Sequence, residues 1–255
     1  MNGVIIQART GSTRLPGKIF MDLNGKYSIQ RILDGCCKTV YPNKIILAMP
    51  VEDGNVIKER IEKGELDKHI DDRFDLFIHN GDSSDLVDRF YLASRRFGLD
   101  TIIRITADCP MIEGFYLGID EMVAKYMKEG QEGFMGNNLI VAQNPYPCGI
   151  DVEIFNYEMI CWAKKHAKSN YDLEHCVPIF YSDMSPFKTM AFNNNRPNTM
   201  VSKRISDFSL DTVSDYKLLS RLTECYDKLK DLNKAIESVF VGDFDKTNMS
   251  KNFRN

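Results

Sequence analysis

The chain has 255 residues, 43% of them hydrophobic and 27% charged, a composition that points to one large α/β domain, alone or with a small appendage. Its formal charge of −3 excludes a global basic field that would draw the whole molecule onto nucleic acid, so an anion site must be a local cluster of Arg and Lys. No apolar run approaches the ~20 residues needed to span a bilayer, and no leader-like start is visible, so a cytoplasmic protein with no membrane partner is expected.

Short apolar runs alternate with amphipathic stretches. Residues 4–8 predict a strand, followed by a loop holding Gly, Ser and Pro. Ser28 is expected to N-cap a helix running through Ile29, Ile32 and Leu33. A second strand is predicted at 44–48, a polar helix at 53–63 and a third strand at 74–79. A helix over 85–97 follows from Leu86, Phe90, Ala93 and Phe97 recurring at helical spacing. A fourth strand is expected at 101–106, then a helix at 115–128. This β-α-β-α order predicts an α/β fold, Rossmann-like, with a mostly parallel twisted sheet and helices on both faces. In such sheets ligands bind beyond the C-terminal strand ends, so the loops from Gln7 and from Ala107 should share one side.

Beyond about residue 130 the pattern loosens into a small mixed α/β extension. Residues 137–144, 146–155 and 187–192 are expected to be extended, and 156–166, 172–181 and 214–230 helical. The expected organisation is one domain over 1–242, with an acceptor-binding and dimerisation region inside 134–195 and a polar tail at 243–255. The seven Cys are scattered with no C-x-x-C pair and are expected to be reduced, neither a disulfide frame nor a zinc site.

The most informative stretch is IIQARTGSTRLPGK, residues 5–18. A strand feeds a loop carrying Arg9, Arg14 and Lys18, the glycines Gly11 and Gly17, and the hydroxyls of Ser12 and Thr13. Cations neutralise a polyphosphate, and glycines let backbone N–H groups approach its oxygens. The loop is not a Walker A motif: five residues separate Gly11 from Gly17, and Ile19 stands where Ser or Thr would meet Mg²⁺. Nor is it a G-x-G-x-x-G dinucleotide fingerprint. A triphosphate site is the reading.

This loop resembles the opening motif of the cytidylyltransferases that activate acidic sugars, such as 3-deoxy-manno-octulosonate and acylneuraminate cytidylyltransferases. It is closest to the spore-coat polysaccharide biosynthesis branch, and the resemblance extends over roughly residues 3–220. It implies a fold of the nucleotide-diphospho-sugar transferase type. It also implies that Gln7, Ala8, Arg9, Gly11, Ser12, Thr13, Arg14 and Lys18 surround the nucleotide, with Arg9, Arg14 and Lys18 acting on the phosphates. RITADCP (104–110) is similar to the family's R-I-T-G-D-C-P, whose Asp binds Mg²⁺, and Asp108 takes that place. SLDTVSD (209–215) is similar to W-T-V-D-T-P-E-D, which makes Asp211 the second expected Mg²⁺ ligand. Mg²⁺ is commonly held by one or two carboxylates plus substrate oxygens and water.

Three further segments resemble the family. SDLVDRFY (84–91) implies that Asp88 and Arg89 lie near the nucleotide or the acceptor. YPCGIDVEIF (146–155) implies an acceptor role for Asp151 and Glu153, which alternation along a strand would point to one side. NYDLEHCVP (170–178) implies that Glu174 and His175 face the same site. His69, His79 and His166 have no evident partners and are read as structural. The expected reaction is transfer of CMP from CTP to a small anionic acceptor, an acidic sugar or a phosphate, with release of pyrophosphate, Mg²⁺ as cofactor and a homodimer as the assembly. The residues alone leave open another nucleoside triphosphate, a sugar- or polyol-phosphate acceptor, or a nucleotide-binding module without catalysis.

Overall fold

In a computed structural model the described residues are 1–67, 71–139, 146–193 and 207–241. The first half follows the expected alternation: β1 (Asn2–Gln7), α1 (Ser28–Cys37), β2 (Lys44–Pro50), α2 (Val51–Glu62), β3 (Phe74–His79), α3 (Leu86–Phe97), β4 (Thr101–Thr106) and α4 (Tyr116–Lys128). Then come β5 (Phe134–Gly136), β6 (Glu153–Asn156), α5 (Tyr157–His166), α6 (Asn170–His175), β7 (Thr189–Ala191), α7 (Val213–Leu229) and α8 (Leu232–Val241). They build one seven-stranded sheet in the order β3-β2-β1-β4-β6-β5-β7.

The pairs β1–β2, β1–β4, β2–β3 and β5–β7 are parallel, while β6 runs antiparallel to both β4 and β5. The centres of β1, β2 and β4 are buried because both faces are covered, while the edge strand β3 is only partly buried. Val4 and Ile6 pack into one core with Ile45, Leu47 and Ile103, while Ile5 enters the other with Ile46, Phe90 and Ile102. The chain moves outward from β1 to β3, then returns to place β4 on β1's other side. That reversal puts the loops leaving β1 and β4 side by side at the C-terminal edge.

Several local expectations are corrected. Tyr27, not Ser28, occupies the N-cap position of α1, without a side-chain cap bond: Tyr27 is held extended by a bridge to Asp22, and the helix opens at Ser28, one residue earlier than expected, with Ser28 buried in its first turn. The stretch 146–155 is a strand only from Glu153. Gly149, at φ +82°, turns the chain before it, and the Asp151 carboxylate accepts from the Gly149 N–H at 3.0 Å. The expected helix over 172–181 is divided, because Cys176 takes a left-handed φ of 65° and Pro178 opens a separate 3-10 turn, Pro178–Tyr181. The extended stretch expected at 137–144 is not a strand over its described part, 137–139, because β5 ends at Gly136; 140–144 and the tail 243–255 lie outside the described residues.

Candidate active site

The loop after β1 is fastened at both ends. Asp53, in the first turn of α2, accepts from the Thr10 N–H at 2.9 Å and from the Thr10 hydroxyl. Gly17 donates its N–H to the Thr10 carbonyl at 3.1 Å, closing the loop at a φ of +68°. Leu15 and Ile19 are buried in the core. Apolar anchors thus hold the loop while its polar side chains face a cavity of about 500 Å³ at the C-terminal edge of the sheet.

Lys18 sits at the centre of that cavity's charge. Its ammonium lies 2.9 Å from Asp108 Oδ2 and 2.7 Å from Asp211 Oδ1, and the other Asp211 oxygen accepts from Arg14 at 2.7 Å. Burial works against the Lys18 charge, but the two carboxylates outweigh it and raise its pKa. Burial likewise works against the Asp108 anion, but Lys18 and the Thr106 hydroxyl outweigh it and hold that carboxyl below its ordinary value. The segment leading to Asp211 is stitched to Asp108 through backbone, Leu210 N–H donating to the Asp108 carbonyl at 2.8 Å. A capping box between Thr212 and Asp215 starts α7, and Asp215 also accepts from the Asp211 N–H at 3.1 Å.

Of the expected site residues, Gln7, Ala8, Arg9, Ser12, Thr13, Arg14, Lys18, Arg89, Asp108, Asp151, Glu153, Glu174, His175 and Asp211 all line this one cavity. Gly11 does not reach its wall, and a Cβ there would meet nothing within 4 Å. Arg9 reaches towards Glu174 at 3.5 Å. Burial raises the pKa of Asp151.

Asp88 is a correction. It lies off the cavity wall, taking a 2.8 Å hydrogen bond from His79 Nε2 and a 2.8 Å ion pair from Lys164 of α5. Adjacent helix residues diverge by about 100°, so Asp88 and Arg89 cannot both face the same space. His79 is therefore structural, as expected, but it has a partner.

Sequence reasoning missed Arg104 and Asp53. Arg104 projects from β4 into the cavity wall, donating from Nε to Gln7 Oε1 at 2.8 Å and pairing with Glu153. Burial opposes its charge, but Glu153 outweighs burial and raises its pKa. The available signal was an arginine inside the otherwise apolar run TIIRIT. Asp53 gave no signal, since an acidic residue in a helix's first turn is commonplace.

The arrangement offers a cation-rich loop, two facing carboxylates and a second acidic end around Asp151, Glu153 and Glu174. Comparisons with known proteins give the family of the chain. Residues 3–241 match the family profile described as cytidylyltransferase. An uncharacterized protein of Methanocaldococcus jannaschii is 28% identical over 235 residues, covering 91% of this chain and 88% of that protein. A solved cytidylyltransferase from Leptospira borgpetersenii serovar Hardjo-bovis superposes with a TM-score of 0.76 at 26% identity, covering 94% of each chain. A CMP:2-keto-3-deoxy-manno-octonic acid synthetase solved with CTP superposes at 0.61 with 14% identity, over 88% of this chain and 98% of the other, a likeness of fold. With the family match spanning nearly its whole length, the chain belongs to the cytidylyltransferase family.

Proposed function

We propose that this nucleotidyltransferase transfers CMP from CTP to an acidic sugar or a related small anionic acceptor, releasing pyrophosphate. Its biological setting would be surface polysaccharide or glycan synthesis, in the spore-coat branch of the family. The observation that carries the reading is the Lys18 ammonium held between Asp108 and Asp211 at 2.9 and 2.7 Å, on a loop that also presents Arg9 and Arg14.

In this reading an acceptor oxygen attacks the α-phosphorus, a new P–O bond forms, and the bond from the α-phosphorus to the bridging α–β oxygen breaks. The electron pair leaves with pyrophosphate. Arg9, Arg14 and Lys18 neutralise the charge gathering on that leaving group, while the Ser12 and Thr13 hydroxyls and loop amides position the phosphates. Gln7 and Ala8 border the nucleoside. Asp151, Glu153, Glu174 and His175 hold the acceptor's hydroxyls. A hydroxyl proton released in the attack passes to a carboxylate of this acidic end, and Asp151, with its raised pKa, is the best suited to take it.

Asp108 and Asp211 would hold Mg²⁺. The fit is chemical: among the described residues no cluster of three or more His, Cys, Asp or Glu forms a metal cage. Two carboxylates already bridged by one cation are the partial oxygen set that Mg²⁺ completes with phosphate oxygens and water. When bound, the ion supplies Lewis-acid polarisation of the phosphoryl oxygens. A homodimer is part of the same reading.

The test is product analysis. Protein incubated with CTP, Mg²⁺ and a panel of acidic sugars and phosphorylated polyols should yield one CMP conjugate, identified by mass. Conjugates from polyol phosphates alone would move the acceptor out of the acidic-sugar class. Formation of CDP would instead mark a kinase.

A further inference from the structure

Arg89 differs from the other deeply buried arginines. Arg31, with no exposure, pairs with Glu113 and Asp227, and Arg104, 8% exposed, pairs with Glu153. Arg89 is 1% exposed and, among the described residues, has no carboxylate partner. Its Nη2 donates to the Ser83 carbonyl at 2.6 Å, which ties it to the loop before α3, and its Nε is buried without a hydrogen-bond partner. Burial, then the neighbouring Arg9 cation, push its pKa down to about 10. A desolvated guanidinium with open donors destabilises a fold, so its retention beside a cavity marks a place where a ligand supplies the acceptors.

Its place in the cavity narrows the ligand group. Arg89 touches neither Lys18, Asp108 nor Asp211, and the charges acting on it are those of Arg9, Asp53, Glu52 and Asp85. It therefore stands away from the carboxylate pair, where Ala8 and Leu86 add apolar wall and Ser83 and Ser84 add polar groups. An apolar wall beside polar groups and an open donor is the chemistry a nucleoside base would meet.

We propose that Arg89 selects the base: it donates to the O2 and N3 edge of cytosine and so distinguishes cytidine from uridine nucleotides. This rests on the reading of the cavity as a CTP site. A guanidinium can only donate. Cytosine offers two adjacent acceptors, O2 and N3, to its fork. Uracil carries a hydrogen on N3, which would face a donor and leave it unpaired in a desolvated corner.

Calorimetric titration in Mg²⁺ with CTP, UTP, 3-deaza-CTP and inorganic tripolyphosphate tests this, on the wild-type protein and on Arg89→Met. Wild type should bind CTP about 10- to 100-fold more tightly than UTP or 3-deaza-CTP, the discrimination of one good bidentate contact. Arg89→Met should bind the three nucleotides alike, bind tripolyphosphate as wild type does, and melt no lower than wild type without ligand. The 3-deaza-CTP comparison on wild type needs no variant. Arg89→Lys, which keeps the charge but loses the fork, should show reduced discrimination. CTP preference kept in Arg89→Met, or 3-deaza-CTP bound by wild type as well as CTP, would overturn the proposal alone. Weakened tripolyphosphate binding in Arg89→Met would also overturn it, by showing that Arg89 contacts phosphate. A wild-type protein that binds no nucleotide, or prefers GTP, would overturn the CTP reading itself and the proposal with it.

Discussion

Lys18 is the residue on which the electrostatics of the cavity converge. Each carboxylate it touches is partly shielded from water, so removing any member leaves an uncompensated charge. Asp108→Ala and Asp211→Ala are each expected to lower turnover at least ~100-fold, the scale of losing a preorganised charge contact to the transition state. Steady-state kinetics with folded variants, checked by circular dichroism, measures this. Arg104 acts differently. It holds the Gln7 amide oxygen, so Gln7 presents its NH₂ group to the cavity. Arg104 and Glu153 were invisible as a pair because 49 residues separate them in sequence and only the β4–β6 pairing brings them together.

Between elements, Arg31 of α1 forms a buried polar joint. It pairs with Glu113 of the Pro110–Gly114 turn and with Asp227 of α7, and it donates to the Leu23 carbonyl. Arg31→Met leaves the buried Glu113 only its longer contacts to Lys38 and Lys26, at 3.4 and 3.8 Å, and should cost about 3 kcal/mol in urea denaturation. The same joint predicts a pH dependence. Burial works against the Asp227 anion, but hydrogen bonds from Arg31 and Asn24 outweigh it and lower its pKa from 3.8 to about 2. A depressed carboxyl stabilises the fold fully above its unfolded value and loses that contribution as pH falls from near 4 towards 2. The stability gap between wild type and Asp227→Asn should therefore be wide at pH 7 and narrow near pH 2.5.

Two smaller devices hold the site's edges. Thr212→Ala removes the α7 cap and should cost about 1 kcal/mol. It should also reduce activity, since the same Asp215 carboxylate steadies the Asp211 backbone. At Gly149 a Cβ would lie 2.2 Å from the Phe208 carbonyl carbon, in a left-handed conformation. Gly149→Ala should accordingly destabilise by about 3 kcal/mol in the same denaturation assay.

The elements also show what could be read in advance. β3 and β4 fall at their expected bounds; β4 is buried along almost all of its length, while β3 at the sheet edge is only partly buried and is bounded by the polar Arg73 and Asn80. The loop after β1 was legible because glycines, hydroxyls and cations are packed into one short stretch. The region from Tyr146 to Pro178 was not, because its shape depends on a left-handed Gly149, a left-handed Cys176 and side chains that cap turns, none of which leaves a periodic signature. Asp88 was misjudged, and the partner of His79 missed, for the same kind of reason: their bond closes between the end of β3 and the first turn of α3.

At the scale of the whole molecule, the parallel half supplies the edge that carries the cationic loop, and the β5-β6-β7 extension brings up the acidic end. Among the described residues no helix is long and apolar enough to cross a membrane. The proposed homodimer predicts twice the 29.3 kDa chain mass in light scattering, and a monomeric mass would contradict it. The central claim is a CTP-specific, metal-assisted transfer, and pyrophosphate release measures it most directly, with each of the four nucleoside triphosphates and an acidic-sugar acceptor. The account predicts release with CTP that chelation of Mg²⁺ abolishes and that Asp108→Ala lowers at least ~100-fold. Faster release with UTP or GTP, or release indifferent to chelation and to the loss of Asp108, would contradict it.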